Sequence, residues 1–211
     1  TTYYFFVYAM NNYCSGGPLY LSTSPLTGNA VANYCIPTVD NTHQTSTNNH
    51  IRKVEFIGTL QDIVNTSTFP TVAPFGYSDF TGLATKAKQA KGGVVNIYVE
   101  SPNSGFIKAW VDWNKDGDFS DLGESIYDAG GTSQASTTLG FIVPTSIAAG
   151  DYRVRIRISG YNGAGADAGF NWGACDTNLA YFGETEDYLL TVIEDCNAKI
   201  TTITNGSVCG I

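Results

Sequence analysis

From Asp112 to Glu124 the chain reads Asp-Trp-Asn-Lys-Asp-Gly-Asp-Phe-Ser-Asp-Leu-Gly-Glu. Oxygen-bearing side chains recur at alternate positions, Asp112, Asn114, Asp116 and Asp118, with Gly117 after the third. Calcium takes several oxygen ligands, and a loop with acids or amides at positions 1, 3 and 5 and glycine at 6 wraps them round the ion. Asp118 falls at position 7, where a backbone carbonyl serves. The pattern departs at its end: a helix-flanked calcium loop closes with a glutamate at position 12, which is Gly123 here. Asp121 and Glu124 are left to close the shell, and either can do so only if the chain leaves the loop differently from a helix. The all-oxygen set disfavours zinc. The alternative is a solvated Asp/Asn/Gly turn, but five carboxylates within thirteen residues repel one another without a cation. The expected metal set is Asp112, Asn114, Asp116, Asp118, Asp121 and Glu124, with calcium as the cofactor.

A second constellation is basic. In Tyr152-Arg-Val-Arg-Ile-Arg-Ile158, period two places Arg153, Arg155 and Arg157 on one face and Val154, Ile156 and Ile158 on the other. Glu184, Glu186 and Asp187 lie just ahead of another strand pattern, so the spacing predicts Arg155 or Arg157 pairing with Glu184 or Glu186. Two other roles stay open: a basic groove for an acidic ligand, or an acid of this motif completing the metal shell.

Several functions find no support. A net charge of −8 with eleven basic residues in no cluster argues against nucleic acid as a partner. His43 and His50 lack a Ser or Cys setting and read as loop residues; with no nucleophile and no phosphate-cradling loop, catalysis is not expected. No apolar run spans a bilayer and there is no signal peptide, so the chain reads as a mature or excised segment without membrane insertion. Five cysteines, at 14, 35, 175, 196 and 209, form no Cys-x-x-Cys pair and point to disulfides in an oxidising compartment.

The elements that must carry these groups read as strands throughout. Composition favours Tyr, Phe, Thr, Val, Ile, Gly and Asn, and no long helical period occurs. Residues 1–21 begin as an aromatic strand pair, and 22–32 read as a linker. Val54 and Phe56 are the expected core face of the strand at 51–57. Val95, Ile97 and Val99 alternate, as do Ile107, Ala109 and Val111, with Pro102-Asn-Ser-Gly105 as the turn between two strands that feed the metal loop. A Lys-rich loop is expected at 86–91 and a Ser/Thr-rich connection at 132–138 before a short strand at 139–144. The fold class is all-β: an antiparallel β-sandwich of jelly-roll or Ig-like topology with a calcium-binding loop.

In order, Tyr34-Cys35, Gly76-Tyr-Ser-Asp-Phe80, the stretch Trp110 to Glu124, the Arg-x-Arg strand and Gly183-Glu-Thr-Glu-Asp-Tyr188 resemble the GEVED domain family. Thr185 stands where the family motif has valine. The resemblance covers about residues 33–194 and implies a β-sandwich module found beside Ig-like repeats, in large surface proteins and exported enzymes of bacteria that use type IX secretion. On that account 1–21 are the last strands of one Ig-like repeat and 195–211 the first strand of another. It also implies a Cys35–Cys175 disulfide within the module, while Cys14 and Cys209 had partners in domain portions absent from this chain.

Two functions follow as expectations. The first is a non-catalytic, calcium-stabilised structural and adhesive module of a large bacterial cell-surface protein. Its partners would be neighbouring domains of the same chain and a surface glycan or other surface ligand. The second is a carbohydrate-binding accessory domain of a secreted enzyme, with Trp110, Trp113 and Trp172 as a stacking platform, although aromatics in a sandwich are more often core.

Overall fold

The computed structural model describes residues 33–38, 49–160, 172–176 and 183–194, and, as backbone only, the strand segments between residues 2 and 31. Four strands lie in the first part: β1 (Thr2–Val7), β2 (Met10–Asn11), β3 (Leu19–Tyr20) and β4 (Leu26–Val31). β1 pairs antiparallel with β4, and β2 with β3. The stretch expected to be a linker therefore contains a strand. The segment 195–211 and the cysteines at 14, 196 and 209 lie outside the described residues.

Nine further strands form one sheet: β5 (Lys53–Ile57), β6 (Ile63–Thr66), β7 (Tyr77–Asp79), β8 (Ala87–Ala90), β9 (Val94–Val111), β10 (Ser125–Asp128), β11 (Gln134–Ile142), β12 (Gly150–Gly160) and β13 (Gly183–Ile193). The main path is β6-β5-β9-β12-β13-β7, with β10 and β11 on β9 and β8 on β13. No helix occurs among the described residues. Pairing is antiparallel except that β7 and β8 run parallel to β13, so the sheet is mixed rather than purely antiparallel.

β9 organises this sheet. The expected hairpin turn at Pro102–Gly105 is instead a corner within one strand of 18 residues. Its first half pairs with β5 and β11, its second with β12 and β10. A strand that changes sheets at a bend is how a curled sheet closes over its own core. Gly105 is needed at this corner: a Cβ there would lie 2.7 Å from Ile158 Cγ1 and 2.8 Å from the Ser159 carbonyl oxygen. The Pro-Asn-Ser-Gly signal was correct about a change of direction and wrong about its kind, because β5 and β11 occupy the edges that a hairpin partner would need.

The two halves enclose one core. Val54, Phe56, Val95, Ile97, Val99 and Leu139 come from one side; Ile107, Val111, Val154, Ile156, Ile158 and Leu190 come from the other. Phe56 meets Tyr188 across the layer, ring centroids 5.7 Å apart. Each such burial contributes about 1.5–3 kcal/mol. The Lys-rich segment and the Ser/Thr run, both expected as loops, belong to β8 and β11; threonine suits an exposed strand face, so composition alone misassigned the second.

One half is covered twice. From Gly105 to Val111 every residue of β9 is buried, as is every residue of β12 from Val154 to Gly160. The outer face, with Phe106, Lys108, Trp110 and the arginines, lies under a second cluster that includes Phe119, Trp172, Ala174 and Tyr34. Cys35 and Cys175 are joined by a disulfide in this cover.

Candidate metal loop and the arginine layer beside it

Asp112 follows the last residue of β9, and its amide donates to the Arg153 carbonyl of β12 at 3.1 Å, so the first candidate ligand is fixed by the sheet. Its carboxylate is 0 % exposed. Oδ1 accepts from the Lys115 amide at 2.6 Å, and Oδ2 from the Gly117 amide at 3.1 Å and the Tyr34 hydroxyl at 2.6 Å. The alternation seen in sequence becomes a chain of local turns. Asn114 accepts from the Asp116 amide, Asp116 from that of Asp118, and Asp118 from that of Ser120, at 2.8 to 3.0 Å. Each side chain bonds the backbone two residues on, which coils the loop. Lys115, Gly117 and Gly123 take φ of 62°, 96° and 92°, a left-handed conformation glycine tolerates at no steric cost.

The six predicted ligands fall into two tiers. Asp116, Asp118 and Asp121 offer carboxylate oxygens within 4.8 Å of one another. Asn114 Nδ2 reaches both Asp116 and Asp121. Asp112 and Glu124, outside that group, are shut away from water, Glu124 at 1 % exposure. Glu124 turns back into the loop, accepting from the Trp113 amide at 2.9 Å and the Asp121 amide at 3.2 Å. Burial holds its carboxyl above the usual value, and the Asp112 charge adds to this. Amide donation from Ser120 lowers Asp118. The trio of Asp116, Asp118 and Asp121 is an all-oxygen cluster of the kind a hard divalent cation takes, while the oxygens of Asp112 and Glu124 accept backbone amides.

The arginine layer corrects the expected pairing. Arg155 grips Asp187 with two bonds of 2.7 Å, from Nε and Nη2, and both side chains are wholly buried. Arg153 adds a third bond to Asp187 at 2.8 Å, and the Tyr77 hydroxyl a fourth at 2.8 Å. Glu184 and Glu186 pair with no arginine because of register: Arg155 lies opposite Asp187 and Arg157 opposite Thr185, while Ile156 and Ile158 lie opposite Glu186 and Glu184. Cross-strand partners share a face, so the two glutamates point into the core. This also sets them on the opposite face from the metal loop's cover. Arg157 binds the Gly173 and Asp176 carbonyls instead of a carboxylate; burial, then the neighbouring Arg155 charge, lower its pKa to about 9.

Arg155 also donates to the carbonyls of Cys35 and Ala174, both at 2.9 Å, and so carries the disulfide-linked cover. Tyr34 couples loop and layer: its hydroxyl binds Asp112, and the Arg153 guanidinium sits 4.0 Å from its ring centre. The family resemblance includes Tyr34 and Tyr77 but assigns neither a role. Nothing local signals them, since their partners stand 78 and 110 residues away.

The tryptophans separate. Trp110 and Trp172 pack together at 5.9 Å in the outer cover, whereas Trp113 packs on Phe141 and Tyr152 against the main core. No platform of three forms. Beside Trp110 a cavity of about 360 Å³ is lined by Phe119, Asp118, Ser120, Cys175 and Asp176.

The site belongs to an all-β fold with a coiled acidic loop between strands and a disulfide-pinned cover, and such a disulfide is consistent with folding in an oxidising compartment. Residues 106–191 match the model of the GEVED domain family. The match includes the acidic loop, the arginine strand and the Gly-Glu-Thr-Glu-Asp motif. No curated protein matches the chain.

Proposed function

We propose that this is a non-catalytic, calcium-stabilised structural and adhesive module of a large bacterial cell-surface protein exported by type IX secretion. The observation that carries the reading is the convergence of Asp116, Asp118 and Asp121 within 4.8 Å of one another, in a loop whose ends bury Asp112 and Glu124. Asp112, Asn114, Asp116, Asp118, Asp121 and Glu124 would hold the ion. When bound, calcium supplies positive charge that offsets the repulsion among these carboxylates. The chain's own residues do the rest. Asp112 is anchored on β12, Glu124 leads into β10, and Tyr34 ties the loop to the arginine layer, so tightening the loop stiffens three elements together. Calorimetric titration with calcium and thermal unfolding with and without EDTA test the reading; no binding heat and an unmoved melting temperature would end it.

The second reading, a carbohydrate-binding accessory domain, is favoured by the cavity beside Trp110 and Phe119, which shares Asp118 with the loop. Calcium-dependent signals on a glycan array support it, and a blank array supports the structural module.

A further inference from the structure

The two glutamates of the motif that face the core are unaccounted for by the calcium reading. Glu184 and Glu186 sit at i and i+2 of β13, buried, on the same face as Ile156 and Ile158. Glu184 accepts from the Ile51 amide at 2.9 Å and is 3.0 Å from the Ser78 hydroxyl. Glu186 accepts from the Tyr188 hydroxyl at 2.6 Å through Oε2, and its Oε1 lies 2.6 Å from the Ser67 hydroxyl.

Counting protons decides the state of this cluster. Ser67 has one hydroxyl proton but faces two acceptors: Glu186 at 2.6 Å and the Ile51 carbonyl at 2.8 Å. Tyr188 gives its proton to Glu186, because its own oxygen accepts from Asn65 Nδ2 at 3.0 Å. Every contact becomes a hydrogen bond only if Glu186 carries a proton on Oε1 and donates it to Ser67, which then donates to Ile51. Glu184 can likewise donate to Ser78 without losing a bond.

We propose that Glu184 and Glu186 form a proton-bearing clasp that joins β13 to the segments flanking β5 and β6, and that the clasp loosens when the pair loses its protons. The groups facing it from each packed element are neutral: Asn65 on β6 and Ser67 just after it, Ser78 on β7, Tyr188 on β13 itself, the backbone of Ile51, and the aliphatic side chains of β12. Among charged neighbours, Arg52 is engaged with Glu100, and Asp79 pairs in register with Asp187, whose face is the opposite one; His50 is next to Ile51 in the chain. Burial, and for Glu184 the neighbouring Glu186 charge, raise both carboxyls above the ordinary range. A folded-state pKa above the unfolded one means that stability is full below the unfolded value and is lost as pH rises through the folded value. The pair titrates as one unit.

The test follows the carboxyl carbons of the intact chain by 13C NMR and its denaturant stability against pH. The expected result is that two glutamate Cδ resonances titrate at or above neutrality and that stability falls from the ordinary carboxylate range up to that titration and levels off above it. Glu186→Gln keeps a donor for Ser67 and an acceptor for Tyr188, so the fall is expected to shrink in that variant and in Glu184→Gln. If every glutamate titrates in the ordinary carboxylate range, or if the pH dependence is unchanged in both folded variants, the proposal is overturned. Should the variants not fold, the wild-type Cδ titration alone decides.

Discussion

Arg155 and Asp187 stand directly opposite each other on β12 and β13, joined by two bonds of 2.7 Å with neither side chain exposed. Removing one partner of a buried pair leaves a charge without compensation, which costs about 3–5 kcal/mol. Asp187→Asn is therefore expected to destabilise the module by that order, read as a lowered urea midpoint with unchanged slope. The guanidinium also loses its ordered hold on the cover, so near-ultraviolet signals from Trp172 are expected to change in the folded fraction.

Gly183 opens β13 where β12 comes closest. A Cβ there would collide with the Ile158 carbonyl oxygen, a backbone atom that cannot swing aside. Gly183→Ala is expected to cost more than the usual about 1–3 kcal/mol of an overpacked site, and hydrogen exchange is expected to show lost protection in β12 and β13 together. Protection unchanged in β12 would contradict the close approach.

Calcium dependence is expected to follow the two tiers. With free calcium at a hundred times its dissociation constant, linkage stabilises the fold by about 2.7 kcal/mol. Glu124→Gln removes the charge and sets an NH2 group against one of the two amides that Glu124 accepts, so it is expected to weaken calcium binding and also to cost some stability in EDTA. Asp116→Ala is expected to act the same way from the outer tier. Calorimetry paired with melting in EDTA checks both.

The Cys35–Cys175 bridge closes a loop with a sequence separation of 140. In the chain-entropy account, a bridge across that much chain is worth roughly 4–5 kcal/mol. Replacing both cysteines with alanine is expected to lower stability by up to that amount, with most of the effect lost if the comparison is made in reducing buffer.

The acidic loop was legible because its determinants are local. Asx turns reach two residues, so Asp112 to Asp118 could be read as a coil of oxygens, and the displaced Glu124 correctly pointed to a strand exit. The arginine face was legible from its period of two. What the arginines pair with was not, because Glu184, Glu186 and Asp187 differ only in parity, and parity becomes a partner only when β12 fixes the register. The corner in β9 was hidden for a similar reason: Pro102 to Gly105 suits a hairpin or a bend, and neighbours distant in sequence choose between them. Ser67 carried no signal, and Ser78 none beyond its place in the Gly76–Phe80 stretch.

The bridge also decides how this module would carry tension. A pull arriving along the backbone at Cys35 crosses to Cys175 through two sulfur atoms, so the chain from β5 to β12 is bypassed along its backbone and cannot be drawn out. The load then reaches β13, gripped lengthwise by β12 on one edge and by β7 and β8 on the other. Those hydrogen bonds are sheared together rather than unzipped in turn, and Arg155, bonded to β13 through Asp187 and to both ends of the bridge through Cys35 and Ala174, sits where the force changes strand.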